Sequence, residues 1–300
     1  MDSKAPSIVS AYDRKESKAA ARQSGQSIGA ILIDSGKLTL VDAEKVLQLQ
    51  RERKLRFGEA AVELGLVDED DIRHALSRQF DYAYLAPGQG GMGNDLVAAY
   101  QPFSDEVETL RRLRSQLLLR WFNAEVEQKA IAIVSPGRGE GRSVIAANLA
   151  IVFSQLGEKT LLIDADMRHP RQHELFNVDN KVGLSALLSG RGETEAVKSV
   201  PALPDLAVIP AGSTPPNPQE LLGRPAFDEL LAWYAQDCEF IILDTPAAAH
   251  YADADTAAAR AGAALIVARR NMTGLDPLRA VAANLASSNT RVVGTVLIDF

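Results

Sequence analysis

Residues 130–156 read AIAIVSPGRGEGRSVIAANLAIVFSQL, and their order decides the fold: an apolar run, a glycine-rich turn, then an alanine-rich helix pattern. A buried strand that feeds such a turn and helix forms a phosphate cradle, because the turn's N–H groups and the helix N-terminus both face an anion. Gly139 and Gly141 let the backbone curl closely, and Ser143 falls where a hydroxyl ligates Mg²⁺. Against the pattern GxxxxGK[ST], Pro136 replaces the first glycine and Arg142 replaces the lysine. Read alone, the turn also fits a strand-to-helix connection that holds nothing.

From this stretch to the end, apolar runs at 130–135, 160–164, 206–210, 240–244, 263–268 and 292–297 alternate with helical patterns. Continuous apolar strands of this kind predict a mostly parallel α/β sheet covered by helices on both faces, with ligands at the carboxyl ends of its strands. Three of those ends carry matching chemistry. Beside the glycine-rich turn, TLLIDADMRHP ends a strand at Asp164 and Asp166 with Arg168 following, and FIILDTP ends one at Asp244. A lone strand-ending Asp is usually a cap or a turn former. Three in register with a phosphate cradle suit Mg²⁺ beside a triphosphate.

Composition narrows the class. At 300 residues with 46% hydrophobic content, the chain has length for about two domains and a sizeable core. A net charge of −7 and a pI near 5.3 argue against a nucleic-acid binder. The single cysteine, Cys238, excludes a disulfide framework and a cysteine zinc site and points to a reducing compartment; its place before an apolar strand predicts a buried thiol. Residues 1–26 are polar and weakly patterned, without the apolar segment of a secretory signal, and read as a mobile tail. No apolar run approaches the ~20 residues of a spanning helix. The expected location is therefore cytoplasmic, with membrane contact made only through a partner.

Residues 27–79 form an internal repeat. SIGAILIDSGKLTLVDAEKVLQLQ (27–50) aligns without gaps to RFGEAAVELGLVDEDDIRHALSRQ (56–79), two 24-residue units five residues apart. Each predicts a short helix, a glycine turn at Gly36 or Gly65, and a second helix capped by Thr39 or Asp68. Two such units stack to bury a shared face. This spacing resembles the MshEN module of secretion and pilus-assembly ATPases, which gives a helical domain at 27–82 followed by a linker at 83–103. The resemblance implies cyclic di-GMP binding by the repeat starts, here Ile28 and Gly29 with Arg56, Phe57 and Gly58. Ser27 stands where the first repeat normally has Arg, and Ala61 replaces an apolar Leu, so the competing expectation is a domain kept for protein contacts.

At 104 the chain turns helical. Ser104 is the predicted cap, Val107, Leu110, Leu113, Leu117 and Trp121 form an apolar stripe, and Glu108, Arg111 and Arg114 share one charged flank.

Residues 104–300 resemble the bacterial tyrosine kinases of exopolysaccharide synthesis, relatives of the MinD/ParA ATPases. SPGRGEGRS stands as Walker A, LLIDADMRHP as Walker A′, IILDTP as Walker B, and TPPNPQELL lies at 214–222. Together with the front repeat, the match is most like the EpsG-type chain-length-determinant kinases. The resemblance implies ATP and Mg²⁺ as cofactors and phosphoryl transfer to tyrosine. Gly137, Arg138, Gly139, Glu140, Gly141, Arg142, Ser143 and Val144 would hold ATP, with Asn217 and Pro218 on the adenine side. Ser143, Asp164 and Asp244 would hold the metal. Asp164 would orient the acceptor hydroxyl, Asp166 would support the metal, and Arg142 would neutralise phosphate charge. Glu108, Arg111 and Arg114 match the ExxRxxR motif through which neighbouring subunits pack into rings. The implied partners are an integral-membrane co-polymerase, a tyrosine-bearing protein substrate and further copies of the chain, with no nucleic acid.

Two features depart from that pattern. Arg142 presents a planar fork where a compact ammonium is expected. The sequence ends at VLIDF without a tyrosine cluster, its six tyrosines being Tyr12, Tyr82, Tyr84, Tyr100, Tyr234 and Tyr251. The alternative expectation is a nucleotide-operated assembly switch that phosphorylates no tyrosine.

Overall fold

The computed structural model describes residues 26–79, 85, 89–122, 129–192 and 194–299. Tyr12, Tyr82, Tyr84 and all but the last residue of the expected tail lie outside them. The described residues fall into two compact units, one within 14–86 and one within 87–300.

The first unit is four helices: α1 (Ile28–Asp34), α2 (Leu40–Arg53), α3 (Phe57–Glu63) and α4 (Glu69–Gln79). Both repeats turn at a left-handed glycine, Gly36 at φ +72° and Gly65 at φ +65°. The Thr39 hydroxyl accepts from the Asp42 amide at 3.1 Å, and Asp68 accepts from the Asp71 amide at 2.7 Å, so each second helix has its expected cap. Ile31, Leu32, Val46, Ala60, Ala61 and Ala75 form the shared core. A Cβ on Gly29 would meet the Phe57 ring at 3.0 Å, and one on Gly58 would meet Ile72 at 3.0 Å. Both glycines thus sit in tight packing against the neighbouring helices.

In the second unit, α5 (Val97–Tyr100) and α6 (Asp105–Arg120) precede an alternation of strands and helices. The strands are β1 (Ala130–Val134), β2 (Thr160–Asp164), β3 (Lys198–Ser199), β4 (Leu206–Ile209), β5 (Phe240–Asp244), β6 (Ala263–Arg269) and β7 (Arg291–Ile298). The helices between them are α7 (Arg142–Ser154), α8 (Gln172–Leu175), α9 (Leu184–Leu188), α10 (Pro218–Leu222), α11 (Pro225–Asp237), α12 (Asp253–Ala261) and α13 (Leu275–Ser287). The seven-stranded sheet runs in the order β3-β4-β2-β5-β1-β6-β7, parallel except for β3. Every residue of β1, β2, β4 and β5 is buried, as their unbroken apolar runs predict. Helix α7 covers β1, β2 and β5, and Phe153 on it packs with Phe122 and Phe240. A second cluster joins β1, β2, β4, β5 and β6 to α11, α12 and α13 through Phe227, Tyr234, Ala258 and Leu285. Cys238 is buried. Among the described residues, no helix is long and apolar enough to cross a membrane.

Two stretches differ from their sequence reading. The two-residue β3 is too short to leave a pattern. Residues 92–100, inside the expected linker, hold buried Met92, Leu96, Ala98, Ala99 and Tyr100. Asn148 of α7 accepts from the Ala98 amide at 2.9 Å and donates to the Asp95 carbonyl at 2.8 Å. Glycine density read as loop therefore conceals a packed segment. Asn148→Ala strands a buried amide and should lower the urea unfolding free energy by about 2 kcal/mol with an unchanged m-value.

Candidate active site

The carboxyl ends of β1, β2 and β5 converge, and Asp164 and Asp244 are directly paired across adjacent strands. The loop after β1 reaches α7 through two left-handed glycines, Gly139 at φ +73° and Gly141 at φ +77°. Gly141 starts α7 without a side-chain cap. Among the described residues, no protein group accepts from the amides of residues 138–144. Unpaired helix-terminal amides need an acceptor, and an anion supplies one.

The loop is braced from beneath and from the side. Glu140, only 4% exposed, accepts from the Gly137 amide at 2.7 Å and from the Thr273 hydroxyl at 2.6 Å. Arg269 donates to the Gly139 carbonyl at 3.0 Å. After β5, the Ala248 and Ala249 amides donate to the carbonyls of Ser135 and Pro136. Glu140, read from sequence as a phosphate contact, therefore holds the loop's own shape.

Arg142 folds down into this floor. Its guanidinium donates to Ser135 Oγ at 2.7 Å and to Asp166 at 3.3 Å, and its Nε lies 3.5 Å from Asp244 Oδ1. Neither that Nε nor that Oδ1 has a hydrogen bond. Gln172, fully buried, donates its side-chain amide to Ser143 O at 3.0 Å and to Asp244 Oδ2 at 2.7 Å. It therefore joins the phosphate loop to the strand-ending carboxylate.

Asp164 ends β2 beside Asp244, as its sequence reading expects. It is fully buried and accepts from the backbone amides of Asp166, Arg171 and Gln172. It does not line the cavity, whereas Asp166 does. That cavity, about 460 Å³, is walled by residues 138–144, Asp166, His169, Arg171 and residues 246, 247, 250 and 251. Arg168 forms two hydrogen bonds to buried Asp253, at 2.5 and 3.2 Å, and stacks 3.8 Å from the Tyr251 ring centroid. Asn217 is exposed at the start of α10, Pro218 is buried, and neither lines the cavity.

On α6, Glu108 pairs with Arg111 at 3.3 Å, while Arg114 donates to the Val152 carbonyl of α7. Arg114 thus anchors α6 within its own unit.

Burial raises Asp164 well above its ordinary value, and the charges of Asp244 and Asp166 add to this against the opposing amides of Gln172 and Arg171. Asp244 is also raised by burial, with Asp166 adding, while Arg142, Gln172 and Ser143 oppose.

A parallel sheet whose first strand opens into such a loop, beside strand-ending carboxylates, defines a P-loop nucleotide-binding protein. The chain is 34% identical over 204 residues to the tyrosine-protein kinase Wzc of Salmonella typhimurium, covering 68% of this chain and 28% of Wzc. It is 32% identical over 206 residues to the tyrosine-protein kinase YwqD of Bacillus subtilis, covering 69% of this chain and 86% of YwqD. Among solved structures, the kinase domain of Escherichia coli tyrosine kinase Etk superposes with a TM-score of 0.65 at 30% identity, over 68% of this chain and 79% of that one. No family model matches. This chain belongs to the bacterial tyrosine-protein kinase family.

Gln172, Arg171, Arg269, Thr273 and Tyr251 were not singled out from sequence as parts of the site. Their roles arise from contacts between distant segments, which leave no local signature. Gln172→Ala should weaken Mg²⁺-dependent nucleotide binding by about tenfold or more, measured by titration calorimetry. A second outcome concerns pH. The stabilising contribution of protonated Asp164 and Asp244 is complete below the ordinary value of 3.8 and is lost as pH rises through their raised values. Asp244→Asn cannot ionise. In thermal melts of ligand-free protein it should gain on the unsubstituted chain as pH rises above the ordinary carboxylate range, by up to ~1.4 kcal/mol per pH unit.

Proposed function

We propose that this protein transfers the γ-phosphoryl group of ATP to a tyrosine hydroxyl, in the control of exopolysaccharide polymerisation, chain length and export. The observation that carries the reading is the run of unpaired amides at 138–144, set beside Asp166 in one cavity. Family membership supports tyrosine as the acceptor.

The residues fit ATP and Mg²⁺. The amides offer donors to phosphate, and Asp244 Oδ1 is a buried acceptor without a hydrogen bond. Ser143, Asp164 and Asp244 would hold Mg²⁺, which would supply charge neutralisation across the phosphates. Arg142 neutralises β/γ charge after leaving Asp166 and Asp244. Asp164 orients the acceptor hydroxyl, and Asp166, which lines the cavity, supports the metal. A carboxylate near pKa ~4 is poorly matched to a phenol near ~10, so its contribution is mainly positional. Asn217 and Pro218 serve the adenine side.

The partners in this reading are an integral-membrane co-polymerase, which places the protein at the cytoplasmic face of the inner membrane, and neighbouring copies that assemble through Glu108, Arg111 and Arg114. The organisation is a tail at 1–26, a MshEN-like unit at 27–82, a connecting segment at 83–103 and a kinase domain at 104–300. The front unit works as a protein-contact module of an EpsG-type kinase. Gly29 and Gly58 serve internal packing, and the groove beside Gly58 sets Glu59, Glu63 and Glu69 against a single cation, Arg73, a net negative lining that disfavours an anionic dinucleotide. Labelled cyclic di-GMP titrated onto the full chain should show no binding at tens of micromolar, and saturable binding would reverse this assignment.

One observation favours an assembly switch: Arg142 is engaged by two carboxylates, so nucleotide binding must first displace it. Incubation with labelled ATP·Mg²⁺ and poly(Glu,Tyr) separates the readings. The kinase forms phosphotyrosine, and Asp166→Asn reduces its rate about 10²-fold or more. Hydrolysis of ATP without phosphotyrosine identifies the switch.

A further inference from the structure

Of the tyrosines among the described residues, two are withdrawn from chemistry. Tyr100 is 8% exposed, and its hydroxyl donates to the Gln89 carbonyl at 2.9 Å. Tyr234 is fully buried, and burial pushes its phenol ionisation up. Tyr251 is 41% exposed and lines the same cavity as the phosphate loop. Its ring is held in place: Arg168 stacks over it at 3.8 Å, and buried Asp253 fixes that guanidinium through two hydrogen bonds. A fixed acceptor in the compartment that holds the donor loses little orientational freedom on reaction.

We propose that Tyr251 is a phosphorylation site of this protein, and that its phosphate closes the cavity to nucleotide. The inference rests on the tyrosine kinase reading. In the step, Tyr251 Oη bonds to the γ-phosphorus of ATP, the bond from that phosphorus to the β,γ-bridging oxygen breaks, ADP leaves, and the phenolic proton passes to water. The product carries close to two negative charges and strong acceptor oxygens. Arg138, Arg171, His169 and His250 line the same cavity, and the amides of residues 138–144 there have no acceptor among the described residues. The carboxylates on that wall are already engaged, Asp166 by Arg142 and Glu140 by Gly137 and Thr273. A phosphate on Tyr251 therefore finds the cations and amides that ATP phosphates need, tethered at a high effective concentration. The kinase thereby limits its own turnover.

The test uses the full chain with ATP·Mg²⁺ and poly(Glu,Tyr). Peptide mass spectrometry follows residue 251, and a fluorescent ATP analogue reports affinity. The expected result is phosphate on Tyr251, with affinity falling about tenfold or more as occupancy rises and returning after phosphatase treatment. Tyr251→Phe should keep its own starting affinity throughout the incubation. Phosphorylated poly(Glu,Tyr) with residue 251 unmodified overturns the inference and leaves the kinase reading standing. Phosphate on Tyr251 with unchanged affinity overturns the closure. Phosphotyrosine on neither protein overturns the inference together with the reading beneath it.

Discussion

Two carboxylates stand side by side at the tips of adjacent strands, fully buried, and the site is arranged around them. Asp164 and Asp244 are register partners in β2 and β5. Removing such a pair from water favours protonation unless hydrogen bonds and counter-charges oppose it. Three backbone amides answer Asp164, while Gln172 and Arg142 answer Asp244. The compensation at Asp244 is incomplete, because one oxygen has no hydrogen bond and the nearest Arg142 nitrogen has none either. This is a floor poised for another cation, and the loop amides above it are poised for the anion that accompanies one.

The same floor explains how loop and strands move as one body. Gln172 ties Ser143 to Asp244, Glu140 ties Gly137 to Thr273, and Arg269 grips the Gly139 carbonyl. A loop kept in shape by side chains from two other segments needs little reorganisation when phosphate arrives, which is the economy that preorganised sites exploit.

The sheet was legible in the sequence because strands buried on both faces must be apolar throughout, and β1, β2 and β5 appear as unbroken runs. The repeat was legible because its glycine turns and caps are local. The partition of labour among the aspartates was not. Asp164 and Asp166 occupy equivalent-looking places in IDAD; both accept from backbone amides, and only the fold shows that Asp166 also lines the cavity. Gln172 was invisible for a related reason, since its bond to Asp244 spans 72 positions. Arg114 likewise reads as part of a charged flank until α6 is laid on α7 and its guanidinium meets the Val152 carbonyl.

The central claim is that the amides of residues 138–144 receive the phosphates of a nucleotide. Hydrogen exchange of the full chain with and without a non-hydrolysable ATP analogue and Mg²⁺ tests it directly. The account predicts strong protection of the peptide covering 138–144, with little change in α11 on the opposite layer. Unchanged exchange across 138–144 at saturating nucleotide would contradict it.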